Sequence, residues 1–319
     1  MSKTRRILVV FATHATRAAE YPRAVRPILK TLAAARNWAF GEITVDGLPF
    51  PAASDIIKHH VGDGDLVVAA GGDGLANAVL DGVMKSGRDA TLAVLPLGQM
   101  NDFARSLNGR RSQTEAILAQ APRQFYPLEV QLKFADGAHA TVFVGQYMSF
   151  GATAVLSDWL NSATVRQKRQ KDRRPLKSVL LGARNIGPLA REIAALPPIN
   201  FRRDGSGWSL NSFGFFLGGA GNLFRLHGGG NLTFDAAEFF WHQTNFAGKT
   251  AGSARAFSGW LLAGLPGEIS EAEDLVLDAP TTLRGQIGGD SIKFADVVGL
   301  SAARSLRALT VLARAQQRQ

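Results

Sequence analysis

The residues best placed to do chemistry are acids set in glycine-rich turns. Leu66-Val67-Val68-Ala69-Ala70 is an apolar run of strand length, and Gly71-Gly72-Asp73-Gly74 follows it directly, ahead of a helix-forming stretch over 76–84. Glycine lets a chain turn sharply and lets a ligand approach the backbone closely. The N–H groups at the start of a helix favour an anion such as phosphate. Asp73 does not belong in a simple phosphate turn, because its carboxylate repels phosphate. Its presence predicts a group that binds a cation or takes a proton from an attacking hydroxyl. Without Asp73, the glycines would be explained equally well by a tight strand-to-helix turn. The spacing is neither a Walker A loop nor a Gly-x-Gly-x-x-Gly fingerprint: no Gly-Lys-Ser/Thr follows, and position 77 is Asn.

A second loop has the same grammar. Leu92-Ala93-Val94-Leu95-Pro96 reads as a strand, Gly98 as its turn and 101–107 as a helix, with Asn101 and Asp102 suited to cap it. A third acid, Asp290, closes Gln286-Ile287-Gly288-Gly289-Asp290. Gly-Gly and Gly-Asp both suit hairpin turns, so Asp290 is either a turn residue or a second working carboxylate beside Asp73.

These loops need a scaffold that holds them together. Strand signals at 7–11, 43–45, 65–70 and 92–96 alternate with helix signals at 18–35, 53–60, 76–84 and 101–107. That alternation predicts a mostly parallel sheet flanked by helices, with both loops at its C-terminal edge. The pattern changes at Pro122–Pro127, after which alternating, β-like stretches are separated by glycine-containing turns. The expectation is an α/β domain over 1–124 and a β-rich sandwich or barrel over 125–319, the last strand or helix returning to the first domain. Between the β-like stretches, 156–195 reads as helical and strongly basic.

Composition narrows the chemistry. The 319 residues are 46% hydrophobic and 19% charged, a globular balance. There is no cysteine, which excludes disulfides, thiolate nucleophiles and Cys-ligated zinc. The six histidines include no His-x-x-x-His, and no zinc site is expected. The net charge of +10 attracts polyanions. No helix-turn-helix, zinc-finger or aromatic RNA-binding signature is present, so nucleic acid ranks behind nucleotide phosphates and anionic membrane, between which the charge does not choose. The run Arg166-Gln167-Lys168-Arg169-Gln170-Lys171-Asp172-Arg173-Arg174 is either a solvated helix face or an attachment to anionic headgroups.

Taken together, Gly71-Gly72-Asp73-Gly74 and Leu95-Pro96-Leu97-Gly98…Asn101-Asp102-Phe103-Ala104-Arg105 resemble the catalytic domain of the bacterial diacylglycerol kinases and their sphingosine and ceramide kinase relatives. The first loop is shared with NAD kinases and 6-phosphofructokinases, while the second points to the lipid kinases. Gly219-Ala220-Gly221-Asn222, Gly228-Gly229-Gly230 and Gly288-Gly289-Asp290 follow in the family's order. The resemblance implies an α/β N-terminal domain of the 6-phosphofructokinase/NAD kinase kind, a β-rich C-terminal domain and an active site in the cleft between them. It implies ATP and Mg²⁺, and a lipid hydroxyl as acceptor of the γ-phosphoryl group. On matching positions Gly71, Gly72, Gly74, Thr13, Gly98, Asn101 and Asp102 would border the nucleotide, and Asp73 and Asp290 would serve catalysis. A cytoplasmic protein that visits an anionic membrane surface is expected, with a homodimer left open.

Several motif positions differ from the family's pattern. At the end of the first strand Phe11-Ala12-Thr13-His14-Ala15-Thr16-Arg17 stands for Asn-Pro-x-Ser-Gly, and after Gly74 Leu75 stands for Thr. Asn77-Ala78 stands for Asn-Glu, Gln99 for Thr, and Gly288-Gly289-Asp290 for Asp-Gly-Glu. Asp235-Ala236-Ala237-Glu238 lacks the Asp-Asp-Gly that serves a structural metal in bacterial members. These changes fall in the loops themselves. They leave, as the alternative reading, a relative on the same fold that binds lipid or nucleotide without catalysis.

Overall fold

The computed structural model of the chain describes residues 5–98, 101–109, 113–151, 154–155, 188, 191–193, 195–196, 199–210, 213–218, 239–245, 268–270 and 272–314. For 208–210, 213–218, 239–245 and 268–270 it describes the backbone alone. The basic run over 166–174, the glycine segments over 219–230 and residues 235–238 lie outside the described residues.

In chain order the first half runs β1 (Arg6–Phe11), a π-helical turn over Tyr21–Val25, α1 (Arg26–Ala35), β2 (Ala39–Thr44), α2 (Phe50–His60), β3 (Leu66–Gly71), α3 (Asp73–Ser86), β4 (Thr91–Pro96), α4 (Asp102–Asn108), α5 (Thr114–Leu118) and β5 (Pro122–Phe125). The second half adds β6 (Leu128–Phe134), β7 (His139–Val144), β8 (Tyr147–Gly151), β9 (Ile199–Arg203), β10 (Ser206–Leu210), β11 (Phe213–Gly218), β12 (Phe239–Asn245), β13 (Glu268–Ser270), β14 (Ala272–Ile287), β15 (Asp290–Arg304) and β16 (Leu309–Leu312).

The first sheet has the order β2-β1-β3-β4-β16-β5. Strands β2, β1, β3, β4 and β16 are parallel to one another, and β5 is antiparallel to β16. Every residue of β3 is buried, as a central parallel strand covered on both faces must be, and so it reads as an unbroken apolar run. One face packs under Tyr21, Val25, Leu29 and Ala33 through Ile7, Val9, Val68 and Ala70. The other packs under α2 and α3, through Leu8, Val10, Val67 and Ala69. The helix expected over 18–35 is shorter than its Ala-rich composition suggested. It starts at Tyr21 as a π-helical turn and becomes α-helical only at Arg26, with prolines in the first turn of each piece, where their missing N–H costs little.

The β-rich half is hydrogen-bonded as one antiparallel sheet of ten strands, β13-β12-β11-β8-β14-β15-β6-β7, with the β9–β10 hairpin attached to β14. Strand β14 serves both of its parts: Leu275–Leu277 pairs with β9, and Gly285–Ile287 pairs with β8. Register shifts between Val276, Thr281 and Leu283 separate the two stretches, and such irregularities let a long strand bend.

Among the described residues, hydrogen bonds join the halves at three places. The chain crosses at 125–128 and returns at 304–309, where the Ser305 N–H donates to the Pro127 carbonyl (2.9 Å) and Arg304 Nη1 to the Tyr126 carbonyl (3.0 Å). Arg307 caps the C-terminal end of α3, donating to the carbonyls of Met84 (2.8 Å) and Arg88 (3.0 Å). The third junction is made by side chains of α3. Asn77 Oδ1 accepts from the Gly145 N–H (2.9 Å), and Asp81 Oδ1 accepts from the Phe143 N–H (2.7 Å). Strand β7 is an edge strand, and two side chains one helical turn apart satisfy N–H groups at and just past it that would otherwise lack a partner strand. Among the described residues no helix is long and apolar enough to cross a membrane.

Candidate functional site

Strands β1, β3 and β4 end in register, Phe11 beside Ala70 and Gly71 beside Pro96, so their following loops meet at one edge of the sheet. The Leu97 and Gly98 N–H groups both donate to the Gly71 carbonyl, at 3.0 and 2.9 Å. Gly98 is held by Asn101, whose Oδ1 accepts from the Gly98 N–H and whose Nδ2 donates to the Gly98 carbonyl, each at 2.7 Å. Asn101 takes a left-handed conformation to do so (φ 52°), one that asparagine tolerates better than most residues. It starts α4 without a side-chain cap bond of the ordinary kind, so its work is on the preceding turn.

Glycine is required where these loops touch. A Cβ on Gly98 would lie 2.3 Å from the Gly72 Cα, and one on Gly74 would lie 1.9 Å from the Asp290 Oδ2. The first contact is backbone against backbone and forms a side-chain-free floor. No side chain caps α3, whose N-cap is Gly72. A glycine floor ending at an uncapped helix start suits a phosphate chain, so the residues present fit a nucleotide here.

Asp73 is the first residue of α3, half-buried. Its Oδ1 accepts from the Phe103 N–H at 2.8 Å. Burial, and then the neighbouring charge of Asp102, push its carboxyl up to about 6, against the pull of the Phe103 and Asp102 N–H groups and of Arg105. Asp102 is buried, with Oδ1 3.9 Å from Arg105 Nη1. Phe103 is fully buried and anchors the loop: a Cβ on Gly145 would lie 2.4 Å from its ring, and Phe125 is 6.0 Å away between centroids.

The hairpin between β14 and β15 supplies the other side. Its turn is Gly288-Gly289, both left-handed, and Gly288 sits on the first turn of α3, where a Cβ would meet Asn77 Nδ2 at 2.6 Å and the Asp73 carbonyl at 2.7 Å. Asp290, just past the turn, lies against Gly74. Gly288-Gly289 makes the hairpin turn, and that turn carries Asp290 to the start of α3, where a helix dipole favours negative charge.

Three carboxylates thus face one region. Tyr147 joins them from β8, its phenol pushed up by burial and then by the charges of Asp73, Asp102 and Asp290. Among the described residues no three acidic or imidazole side chains converge tightly enough to cage a metal. A divalent cation would arrive on the phosphates of the nucleotide and be shared with the carboxylates, rather than wait in a protein cage.

Thr13 stands at the same sheet edge, after β1. Its N–H donates to Asp46 Oδ1 (2.9 Å), and His14 Nδ1 is 2.7 Å from the same oxygen. Arg17 reaches across to the second loop, its N–H donating to the Leu97 carbonyl (2.9 Å) and its Nη1 to the Pro96 carbonyl (3.1 Å). The structure therefore gathers Gly71, Gly72, Asp73, Gly74, Gly98, Asn101, Asp102 and Asp290 around α3, with Thr13 on the neighbouring loop. Sequence reasoning passed over Tyr147, and took Asn77 only as a motif remnant. Asn77 and Asp81, four residues apart in the otherwise apolar stretch 74–84 of α3, carried a usable signal; Tyr147 carried none.

Residues 10–130 match the family model described as the diacylglycerol kinase catalytic domain. Curated relatives include a diacylglycerol kinase of Bacillus subtilis, 51% identical over 43 residues, and one of Staphylococcus haemolyticus, 41% identical over 46 residues. Each alignment covers 14% of this chain and 14% of the relative's own length. Among solved structures, a putative diacylglycerol kinase from Bacillus anthracis aligns over 98% of this chain and 99% of its own, with TM-score 0.58 and 16% identity. A second structure, of a diacylglycerol kinase from the same organism, covers 98% of both chains with TM-score 0.55 and 13% identity. The shared fold extends along the whole chain, while close sequence likeness is concentrated in a short segment.

Proposed function

We propose that this chain is a lipid kinase that transfers the γ-phosphoryl group of ATP to the hydroxyl of a diacylglycerol-like or sphingoid-like lipid. The observation that carries this reading is Asp73. It is a carboxylate with its ionisation moved to about 6, set between a glycine floor and a second acid brought by the β-rich half. The name of the Bacillus subtilis relative, diacylglycerol kinase, supports the acceptor class.

In this proposal residues 1–124 hold the nucleotide and 125–319 the lipid. Bound ATP with Mg²⁺ supplies the activated phosphoryl group and the charge that lets three carboxylates coexist with phosphate. Gly71, Gly72, Gly74 and Gly98 let the phosphates approach the backbone, with Thr13, Asn101 and Asp102 at the border. Asp73 receives the proton of the acceptor hydroxyl as its oxygen bonds to phosphorus, and a pKa near neutrality suits a base that must also release that proton. Asp290 faces the acceptor from the opposite side. The chain's basic charge favours the anionic surface on which such a lipid is met.

The test is the full chain with Mg²⁺-ATP and a panel of diacylglycerols and sphingoid lipids in mixed micelles. Transfer of radiolabelled phosphate to lipid, together with a melting temperature raised by millimolar Mg²⁺-nucleotide, is the expected result. The absence of both transfer and shift would sink the proposal.

A further inference from the structure

The loop over 12–17 walls the glycine floor on the side of β1. Its ends are tied one residue before each glycine turn: the Ala12 N–H donates to the Ala70 carbonyl (3.4 Å) and the Arg17 N–H to the Leu97 carbonyl (2.9 Å). Beyond this loop stands the end of β2, flush with β1 and β3, since Phe11 pairs with Thr44 on one side and Ala70 on the other. Neighbouring strands lie about 4.8 Å apart, so β2 ends about 10 Å from β3 along the edge, a gap that a phosphate chain can bridge. On the β4 side the edge is taken by Asn101 and the start of α4. A nucleotide whose phosphates lie on the glycine floor therefore has its open course toward β2.

What β2 delivers there is Asp46. Val45 is buried in the core, Gly47 is left-handed (φ 74°) and the Leu48 N–H turns back to the Val45 carbonyl (3.3 Å), a tight turn that needs its glycine and puts Asp46 at its head. Asp46 Oδ1 accepts from the Thr13 N–H (2.9 Å) and lies 2.7 Å from His14 Nδ1. Among the described residues Oδ2 has only a longer contact, 3.3 Å from the same N–H. The side chain is 30% exposed. One oxygen thus fixes the carboxylate, and the other keeps acceptor capacity for a ligand. Partial burial pushes the carboxyl up, but the bonds from Thr13 and His14 hold it below the usual range, so at neutral pH it is ionised and can only accept. A phosphate, itself an anionic acceptor, has no place against it. A ribose does, because its two adjacent hydroxyls are donors. The same pairing of an acid with a ribose hydroxyl serves dinucleotide-binding α/β folds.

We propose that Asp46 reads the sugar of the nucleotide, its Oδ2 accepting from the ribose hydroxyls, and that it favours nucleotides with the 2′,3′-diol intact. This rests on the nucleotide part of the reading above and does not need transfer to lipid. Thr13 and His14 are then positioning residues, which occupy Oδ1 and leave Oδ2 to the sugar.

The test is the dissociation constant of Mg²⁺-ADP against that of Mg²⁺-2′,3′-dideoxy-ADP, measured by calorimetry on the full chain and on Asp46→Ala. Wild type should bind ADP about fivefold tighter, the net worth of one hydrogen bond. In Asp46→Ala the two constants should be equal. A loosened loop weakens both nucleotides alike, so the ratio separates a sugar contact from a merely structural role. Equal binding of both nucleotides by wild type, or a preference that survives in Asp46→Ala, would overturn the assignment. The expected ratios in a protein that phosphorylates no lipid would uphold Asp46 and refute the kinase reading alone. No binding of either nucleotide would refute the nucleotide floor and this proposal together.

Discussion

The two sides of the cleft are built by different means. The α/β side holds its site by backbone: Gly72 lies against Gly98, two N–H groups converge on the Gly71 carbonyl, and Asn101 rings the Gly98 peptide. The β-rich side holds its contribution by side chains at the end of a long hairpin, Asp290 beside Gly74 and Tyr147 at the start of β8. Backbone contacts tolerate almost no substitution and leave glycine motifs in the sequence. Side chains on strands can change type while the sheet persists. This contrast explains why the family-model match falls within residues 10–130.

The largest expected effect separates the two acids. Asp73→Asn should lower lipid phosphorylation by at least about a hundredfold, the lower end of what acid–base groups contribute. Asp290→Asn should do the same if the hairpin acid works beside it. Retained activity in Asp290→Asn alone would reduce that residue to a turn position. In the wild type, activity should rise with pH through about 6, the value to which Asp73 is pushed, because a base must be ionised. Stability carries the opposite sign. A carboxyl raised from 3.8 to about 6 favours the folded state fully below 3.8, and that contribution is lost as pH rises through 6. Asp73→Asn should therefore melt higher than wild type at pH 8, with the gap closing by pH 4. A variant that melts lower at pH 8 would contradict the burial assigned to Asp73.

A second pair of substitutions tests backbone against side chain directly. Gly98→Ala sets a methyl 2.3 Å from the Gly72 Cα, where neither neighbour can rotate away. It should cost about 1–3 kcal/mol, the usual penalty of overpacking, and weaken nucleotide binding by at least about tenfold. Gly74→Ala meets first the carboxylate of Asp290, at 1.9 Å, the far end of a side chain that can swing aside. Its melting temperature should stay close to wild type while lipid phosphorylation falls as in Asp290→Asn. Equal losses of stability in both would show that the two sides are equally rigid.

The junction between the halves should give an effect of similar size on stability. Asp81 is fully buried and accepts from Ser54 Oγ (2.5 Å), Lys85 Nζ (2.7 Å) and the Phe143 N–H (2.7 Å). Asp81→Ala strands those donors and should cost about 2–3 kcal/mol in urea unfolding. Asn77→Ala, which strands the Gly145 N–H, should cost about 1–2 kcal/mol. Since Asn77 also touches the hairpin turn, its variant alone should lose lipid phosphorylation.

Much of this architecture was legible in the chain. Strands β3 and β4 read as unbroken apolar runs because parallel strands are covered on both faces, and Gly71–Gly74 and Gly98 marked the turns that follow. The β-rich half was legible as a class and not as a topology. Its alternation says that a strand has two unlike faces, but pairing depends on register shifts at Val276–Leu283 that leave no local signature. Asp290 was recognisable as an acid in a turn. That the turn rests on Asp73 follows from the length of the hairpin and the docking of Gly288 on α3, which are tertiary facts. Tyr147 was silent for the same reason: a tyrosine at the head of a strand is ordinary until the three aspartates around it are in place.

The smallest expected effect lies at the rim, where Thr13 stands in the loop in which the family has Asn-Pro-x-Ser-Gly. Here the loop is tied not by glycine contacts but by Asp46, which accepts from the Thr13 N–H and contacts His14. Partial burial pushes the Asp46 carboxyl up, yet the hydrogen bonds from Thr13 and His14 outweigh it and hold it below the usual range. Both side chains of the His14–Asp46 pair are solvent-accessible, and exposed pairs of this kind are worth at most about 1 kcal/mol. Asp46→Asn should then lower stability by no more than that at neutral pH. A carboxyl with a lowered pKa stabilises the fold above its ordinary 3.8 and loses that contribution as pH falls through its folded value, so the variant and wild type should converge in acid. If Thr13 borders the nucleotide, a loosened loop should raise the KM for Mg²⁺-ATP by no more than about fivefold, the equivalent of about 1 kcal/mol, and leave the lipid KM alone. A larger change would mean that this rim, and not the glycine floor, supplies the main hold on the nucleotide.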